Sequence, residues 1–232
     1  MKYQFFGDTH GETHWKDLLD PECVQVFLGD YFSPYKLQTY EQCRDNLLEI
    51  INLKKEKPET ILLIGNHDED HWHIREGYSR FDYEHVEDIS KLFEENKDLF
   101  QVAFAVGDYL VTHAGVGKMW KQKRLPNVEV TPQALAEAIN ELWLSGKYFA
   151  FNFNSNANYW DCYGTSIQQG PMWIRWTTLC EENVFKKTPY KQIVGHTLGE
   201  DFRYCPNKKE WNLICIDCMA FQGKSLILDI NT

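Results

Sequence analysis

Five times along this 232-residue chain a short apolar run stops abruptly at side chains able to bind a metal. QFFGDTHG ends in Asp8 and His10, VFLGDYF in Asp30, TILLIGNHDED in Asn66, His67 and Asp68, YLVTHAG in His113, and QIVGHTL in His196. Runs this short, rich in β-branched and aromatic residues, predict strands at 2–6, 24–28, 60–64, 109–112 and 192–194. Between the second and third, Cys43, Leu47, Ile50 and Ile51 recur at helical spacing and predict a helix over 40–55. Another over 83–99 carries Val86, Ile89 and Phe93 on one face. Strand, helix, strand in this order predicts a right-handed parallel crossover, which lines successive strand ends along one sheet edge, where α/β proteins keep their sites.

Later stretches change the pattern. Runs 101–106 and 109–112 flank Gly107-Asp108 and predict a tight antiparallel hairpin. Thr131-Pro132 suits the N-cap and first turn of a helix through Leu135, Ile139 and Leu142. Residues 146–178 are the least regular, with Asn152, Asn154, Asn156 and Asn158 among aromatics followed by QQGPMWIRW, and are expected to form a lid or cap. Runs 203–205, 211–217 and 224–230, joined by turn residues, are expected to close the chain as an antiparallel meander. A sheet that begins parallel and a later antiparallel one predict two packed sheets with helices outside.

Composition narrows the class. At 43% hydrophobic residues the chain can bury a full-sized core, and a single domain over 1–232 is expected. No opening segment resembles a signal peptide, and no run approaches the about 18 apolar residues of a membrane helix, so a soluble cytoplasmic protein is expected. Seven cysteines, an odd number, speak against a disulfide framework. Cys215 and Cys218 form a C-x-x-C, but three positions apart on a strand they face opposite sides and are expected to be structural thiols. The net charge of −10 opposes nucleic-acid binding, and the one basic cluster, KMWKQKR at 118–124, is expected to be a solvated surface turn.

Two divalent ions held close together need several ligands, preferably with one bridging carboxylate, and Mn²⁺, Fe and Zn²⁺ accept mixed His, Asp and Asn sets. The five strand ends supply such a set. In this combination GDTHG, GDYF, GNHDE, VTHAG and VGHT resemble the calcineurin-like metallophosphoesterases. The ending ICIDCMAFQGKSLILDI resembles that of their phosphoprotein-phosphatase branch, which includes bacterial and phage phosphatases and diadenosine tetraphosphate hydrolases. The resemblance implies an α/β fold, a four-layer α-β-β-α sandwich of two mixed sheets with a dimetal site at the strand ends. It further implies that Asp8 and His10 bind a first ion, that Asp30 bridges, that Asn66, His113 and His196 bind a second, and that His67 is the general acid. The implied activity is hydrolysis of a phosphomonoester, on a phosphorylated small molecule, phosphoprotein or nucleotide. Two ions would lower the pKa of a bridging water from ~16 towards neutrality for in-line attack on phosphorus, with His67 protonating the leaving oxygen. Alternatives are a dinucleoside polyphosphate hydrolase and a non-catalytic metal-binding module.

Two departures from the branch stand out. Its pattern GDxxDRG supplies an Asp that orients the catalytic His and an Arg that grips phosphate, but Ser33 and Pro34 occupy those positions here. Asp68 or Asp70 is a candidate for the lost carboxylate, although Asp70 also reads as a solvated loop acid. Arg175, in a GPMWIR stretch similar to GPLWxR of some bacterial members, is the candidate phosphate ligand. Leu198 stands where nuclease-like relatives carry a second His, which favours the phosphatase branch. His71 and His73 are expected in an exposed loop beyond the site, and the aromatic stretch 148–160 as packing or as a base-stacking platform.

Overall fold

Alternation along the strands sorts the apolar residues into layers. The computed structural model describes residues 1–36, 38–75, 79–151 and 165–230. Its strands are β1 (Lys2–Phe6), β2 (Val24–Phe27), β3 (Ile61–Leu63), β4 (Phe100–Gln101), β5 (Ala103–Val106), β6 (Tyr109–Thr112), β7 (Lys191–Val194), β8 (Arg203–Cys205), β9 (Leu213–Cys215) and β10 (Ser225–Asp229). They form two five-stranded sheets, ordered β10-β1-β2-β3-β4 and β5-β6-β7-β9-β8. The helices are α1 (Trp15–Leu18), α2 (Tyr40–Glu56), α3 (Asn66–Trp72), α4 (Val86–Glu95), α5 (Lys118–Arg124), α6 (Pro132–Leu144), α7 (Trp176–Glu182) and α8 (Met219–Gln222).

Tyr3, Phe5, Val26 and Leu63 of the first sheet meet Val106, Val111, Ile193 and Ile214 of the second in one buried layer. Their neighbours Phe6, Phe27 and Leu62 point the other way, towards Leu47, Ile50 and Ile51 of α2 and Phe93 of α4, while Leu110 belongs with Leu135 and Ile139 of α6. This period of two makes each sheet apolar on both faces and places helices outside, the expected four layers. Thr39 and Gln42 form a capping box that starts α2, and Thr131 caps α6 with Pro132 in its first turn.

Strands β1, β2 and β3 run parallel, as do β6 and β7. The polar residues that end each of them therefore emerge at sheet edges rather than scattering.

Several expectations need correction. The last three strands are no meander: β8 and β9 are antiparallel, but β9 pairs parallel with β7, and β10 crosses to the first sheet to pair with β1. Leu213, Ile214 and Cys215 are all buried, as a central strand requires, whereas β10 is partly exposed and serves as an edge. The run 101–106 is divided between the sheets at Val102. There Asn140 Oδ1 accepts from Val102 N (2.9 Å) and Ala103 N (3.0 Å), satisfying groups that neither sheet pairs. The helix expected over 83–99 begins at Val86, ends at Glu95 and is followed by a 3₁₀ turn, Lys97–Leu99. The basic cluster is helical as α5, anchored by buried Trp120, whose Nε1 donates to Ala150 O at 3.0 Å.

Of the segment expected as a lid, 152–164 lie outside the described residues. Its flanks pack inward: Ala150, Phe151, Met172 and Ile174 are fully buried. No helix among the described residues is long and apolar enough to cross a membrane.

Candidate metal centre

Asp8 and His10 follow β1, Asp30 follows β2, Asn66 opens α3 just after β3, and His113 and His196 follow β6 and β7. All six are buried. Ligand atoms of Asp8, His10 and Asp30 lie within 4.8 Å of one another, as do those of Asp30, His113 and His196, so Asp30 is common to both groups. Its Oδ2 is 3.7 Å from His10 Nε2 and 3.4 Å from His113 Nε2. Asn66 Oδ1 lies 3.0 Å from His113 Nε2 and 2.8 Å from His196 Nδ1.

The backbone is bent to achieve this. His10, Asp30 and His196 all adopt positive φ, 45°, 54° and 65°, a conformation costly for residues with a Cβ and typical of functional sites. Close approach matters as much: a Cβ on Gly65 would stand 2.1 Å from Asp30 Oδ1, so only glycine lets the ends of β2 and β3 lie together.

The arrangement fits two cations. His10 Nδ1 bonds to Phe32 O (2.7 Å), His113 Nδ1 to Leu28 O (2.8 Å) and His196 Nε2 to Trp173 O (3.1 Å). A carbonyl only accepts, so each of these nitrogens carries the hydrogen, and in the neutral ring the other nitrogen presents a lone pair to the carboxylates and Asn66 Oδ1. Acceptors that converge in this way call for a positive charge. The carboxylates supply the matching negative charge: against burial, Asp30 and Asp8 push His113 up to about 10. Burial raises the Asp30 carboxyl, but His113 and His67 outweigh it and hold it well below the usual range. Asp8 is pushed up, by burial and then by Asp217, although both of its oxygens lie 3.0 Å from His196 N.

The residues after Asn66 differ from their sequence reading. NHDED is no loop but the first turns of α3, and Asp70 and His71 are buried rather than solvated, as is the candidate carboxylate Asp68. The acidic first turn favours the helix, while the lack of an apolar stripe disguises it in the sequence. Asp68 Oδ2 accepts from Asp30 N (2.7 Å) and Gly65 N (3.0 Å), and its Oδ1 from Tyr31 N (2.8 Å). It therefore clamps the loop bearing Asp30 onto the start of α3. His71 Nδ1 bonds to His67 O (2.6 Å), and its ring stacks on Phe81.

Burial, then the charges of Glu69 and Asp30, push Asp70 up to about 9. An acid whose folded pKa lies above its unfolded value contributes stability that is full below about 4 and is lost as pH rises towards the folded value. Asp70→Asn, shaped like the neutral acid, is therefore expected to raise the melting temperature of metal-free protein at pH 8 by about 3 °C or more, the response to roughly 1 kcal/mol. Thermal melts between pH 5 and 8 check this, and an unchanged pH slope would contradict it.

A cation at the Ser33-Pro34 gap comes from elsewhere in the chain. Arg80 Nη2 is 3.1 Å from His67 Nε2, and its Nη1 donates to Ser33 O. Its guanidinium lies 3.8 Å from the centroid of the Tyr35 ring, which in turn stands edge-on to His10 with centroids 4.7 Å apart. Arg175, at the N-terminus of α7, donates from Nη1 to His196 O at 3.3 Å and so lies beside the second group of ligands.

Sequence reasoning missed Arg80, Tyr35 and Asp217. No spacing ties Arg80 to a motif, and Tyr35 stands where the GDxxDRG pattern has its last glycine, next to the altered Ser33-Pro34 pair. Asp217, however, ends the apolar run LICI and follows the same pattern as the five strand ends.

A profile of the calcineurin-like phosphoesterases (Metallophos) matches residues 1–163. No curated protein matches the chain in sequence. Among solved structures, a cold-active protein tyrosine phosphatase is similar with a TM-score of 0.65 at 19% identity, over 98% of this chain and 73% of that one. The cold-active protein tyrosine phosphatase of a psychrophilic Shewanella species gives a TM-score of 0.60 at 18% identity, over 98% and 75%.

Proposed function

Because the chain belongs to the calcineurin-like phosphoesterase family, we propose that this metal-dependent phosphoester hydrolase is a phosphomonoesterase or protein phosphatase of the phosphoprotein-phosphatase type. The observation that carries the reading is the pair of ligand groups sharing Asp30, with three imidazoles each oriented by a backbone carbonyl. In this assignment Asp8 and His10 hold a first divalent ion, Asn66, His113 and His196 a second, and Asp30 serves both. Two such ions, Mn²⁺ in the first instance with Fe or Zn²⁺ as alternatives, supply Lewis-acid polarisation of the phosphoryl oxygens and an acidified water.

The protein's own groups complete the chemistry. His67 is assigned the proton for the leaving oxygen. A guanidinium only donates, so His67 Nε2 accepts from Arg80 in the present arrangement. For Nε2 to deliver a proton, Arg80 must turn from it to the incoming phosphate, which gives Arg80 the gripping role vacated at Pro34. Arg175 is assigned the second cation on phosphate.

Tyr35, 43% exposed, offers an aromatic shelf beside this group, which suits an aryl ester; the two solved neighbours are named as tyrosine phosphatases. Mn²⁺-loaded protein assayed on p-nitrophenyl phosphate, a phosphotyrosine peptide, a phosphoserine peptide and diadenosine tetraphosphate tests the proposal. Hydrolysis of the monoesters is expected, fastest with an aryl leaving group. Preferential cleavage of diadenosine tetraphosphate would overturn it for the dinucleoside polyphosphate reading, and no hydrolysis with metal bound would favour a binding module.

A further inference from the structure

One carboxylate beside the centre has no role in the fold or in the six-residue ligand set. Asp217 is 2% exposed, and neither of its carboxylate oxygens has a hydrogen-bond partner among the described residues. A buried carboxylate left unpartnered is costly to ionise, so its charged form calls for a counter-charge. The fold gives it little: Asp8 and Asp30 repel it, and the attractive groups are His113, Arg203 and Arg80. Arg203 is engaged with Thr197 O and Cys215 Sγ, and Arg80 with Ser33 and His67.

Its placement beside Asp8 is built in. Ile216 N donates to Val194 O (2.8 Å) and Gly199 N to Asp217 O (2.9 Å), which fix the backbone on both sides. A Cβ on Gly7 would stand 2.6 Å from Ile216 O and 3.1 Å from Asp217 Cα, so glycine at position 7 lets the end of β1 lie against Asp217. The first group of ligands, Asp8, His10 and Asp30, is also short of donors, because Leu198 supplies none.

We infer that Asp217 is a further anionic residue of the first metal position, holding the hydrated ion by accepting hydrogen bonds from its water. Action through water follows from its lying outside the compact group that Asp8, His10 and Asp30 form. The inference rests on the two-ion reading of the centre and makes Asp217 a positioning residue for the ion. Outer partners of this kind typically contribute about 10–100-fold in metal affinity.

Calorimetric titration of metal-free protein with Mn²⁺, paired with thermal melts, tests it. Wild type is expected to bind two ions. Asp217→Asn should weaken one of them by about 10–100-fold and leave the other within about threefold. Removing a charge that repels Asp8 should also make the variant melt higher than wild type without metal, yet gain less from saturating Mn²⁺. A residue that merely packs would not produce these opposite shifts; Asp217→Ser serves as a second variant. Wild-type affinity at both positions, or equal weakening of both, overturns the role of Asp217 alone. Wild type binding fewer than two ions overturns the two-ion reading and the inference with it.

Discussion

Asp30→Asn is expected to abolish turnover and leave at most one Mn²⁺ bound. Asp30 is the only residue common to the two ligand groups, so its loss removes a donor from each at once. The substitution keeps the shape and one oxygen but deletes the charge that offsets two cations. It also releases His113, whose imidazole Asp30 and Asp8 push up to about 10 against burial. A fall in kcat of at least about 10³, or about 4 kcal/mol of transition-state stabilisation, is expected on p-nitrophenyl phosphate. Bound-metal analysis of the same sample separates this from unfolding. Two ions retained with near-normal turnover would show that Asp30 does not join the two positions.

Arg80→Ala is expected to lower kcat/KM about 100-fold, roughly 2.7 kcal/mol, and to weaken inhibition by inorganic phosphate at least about tenfold, with two ions still bound. The grounds are its contact with His67 Nε2, its hold on the backbone of Ser33, and its place over Tyr35. Arg80→Lys retains the charge but loses the planar fork, so partial recovery is expected. Arg175→Ala is the natural comparison, since its guanidinium is tied to His196 O on the other side of the centre. If only the Arg175 variant changes phosphate inhibition, the gripping role belongs there and not to Arg80.

The strands that end in candidate ligands were legible because each carries one local signal, an apolar run broken by residues no core would accept. The two-layer packing followed from the change between parallel and antiparallel patterns. What the sequence concealed depends on partners distant in the chain. Nothing in SLILD says that it pairs with KYQFF rather than with β9, and nothing in QVAFAV marks Val102 as the crossing between sheets. The polar start of α3 has no apolar stripe, because its neighbours are charged strand ends, so Asp70 and His71 read as solvated although they are buried. The same distance hid the cation proposed to replace the missing Arg: Arg80 meets Ser33 from 47 residues away, through a loop without a motif. Asp217 was legible by the rule that found the other strand ends, since an apolar run stops at it.

The six candidate ligands, with Asp30 shared, imply a centre that works only as a pair. Metal-free protein titrated with Mn²⁺ while hydrolysis of p-nitrophenyl phosphate and bound metal are followed in one sample tests this most directly. Activity is expected to be absent without metal, low with one ion per chain and full with two. Hydrolysis that persists after complete metal removal, or none with two ions bound, would contradict it.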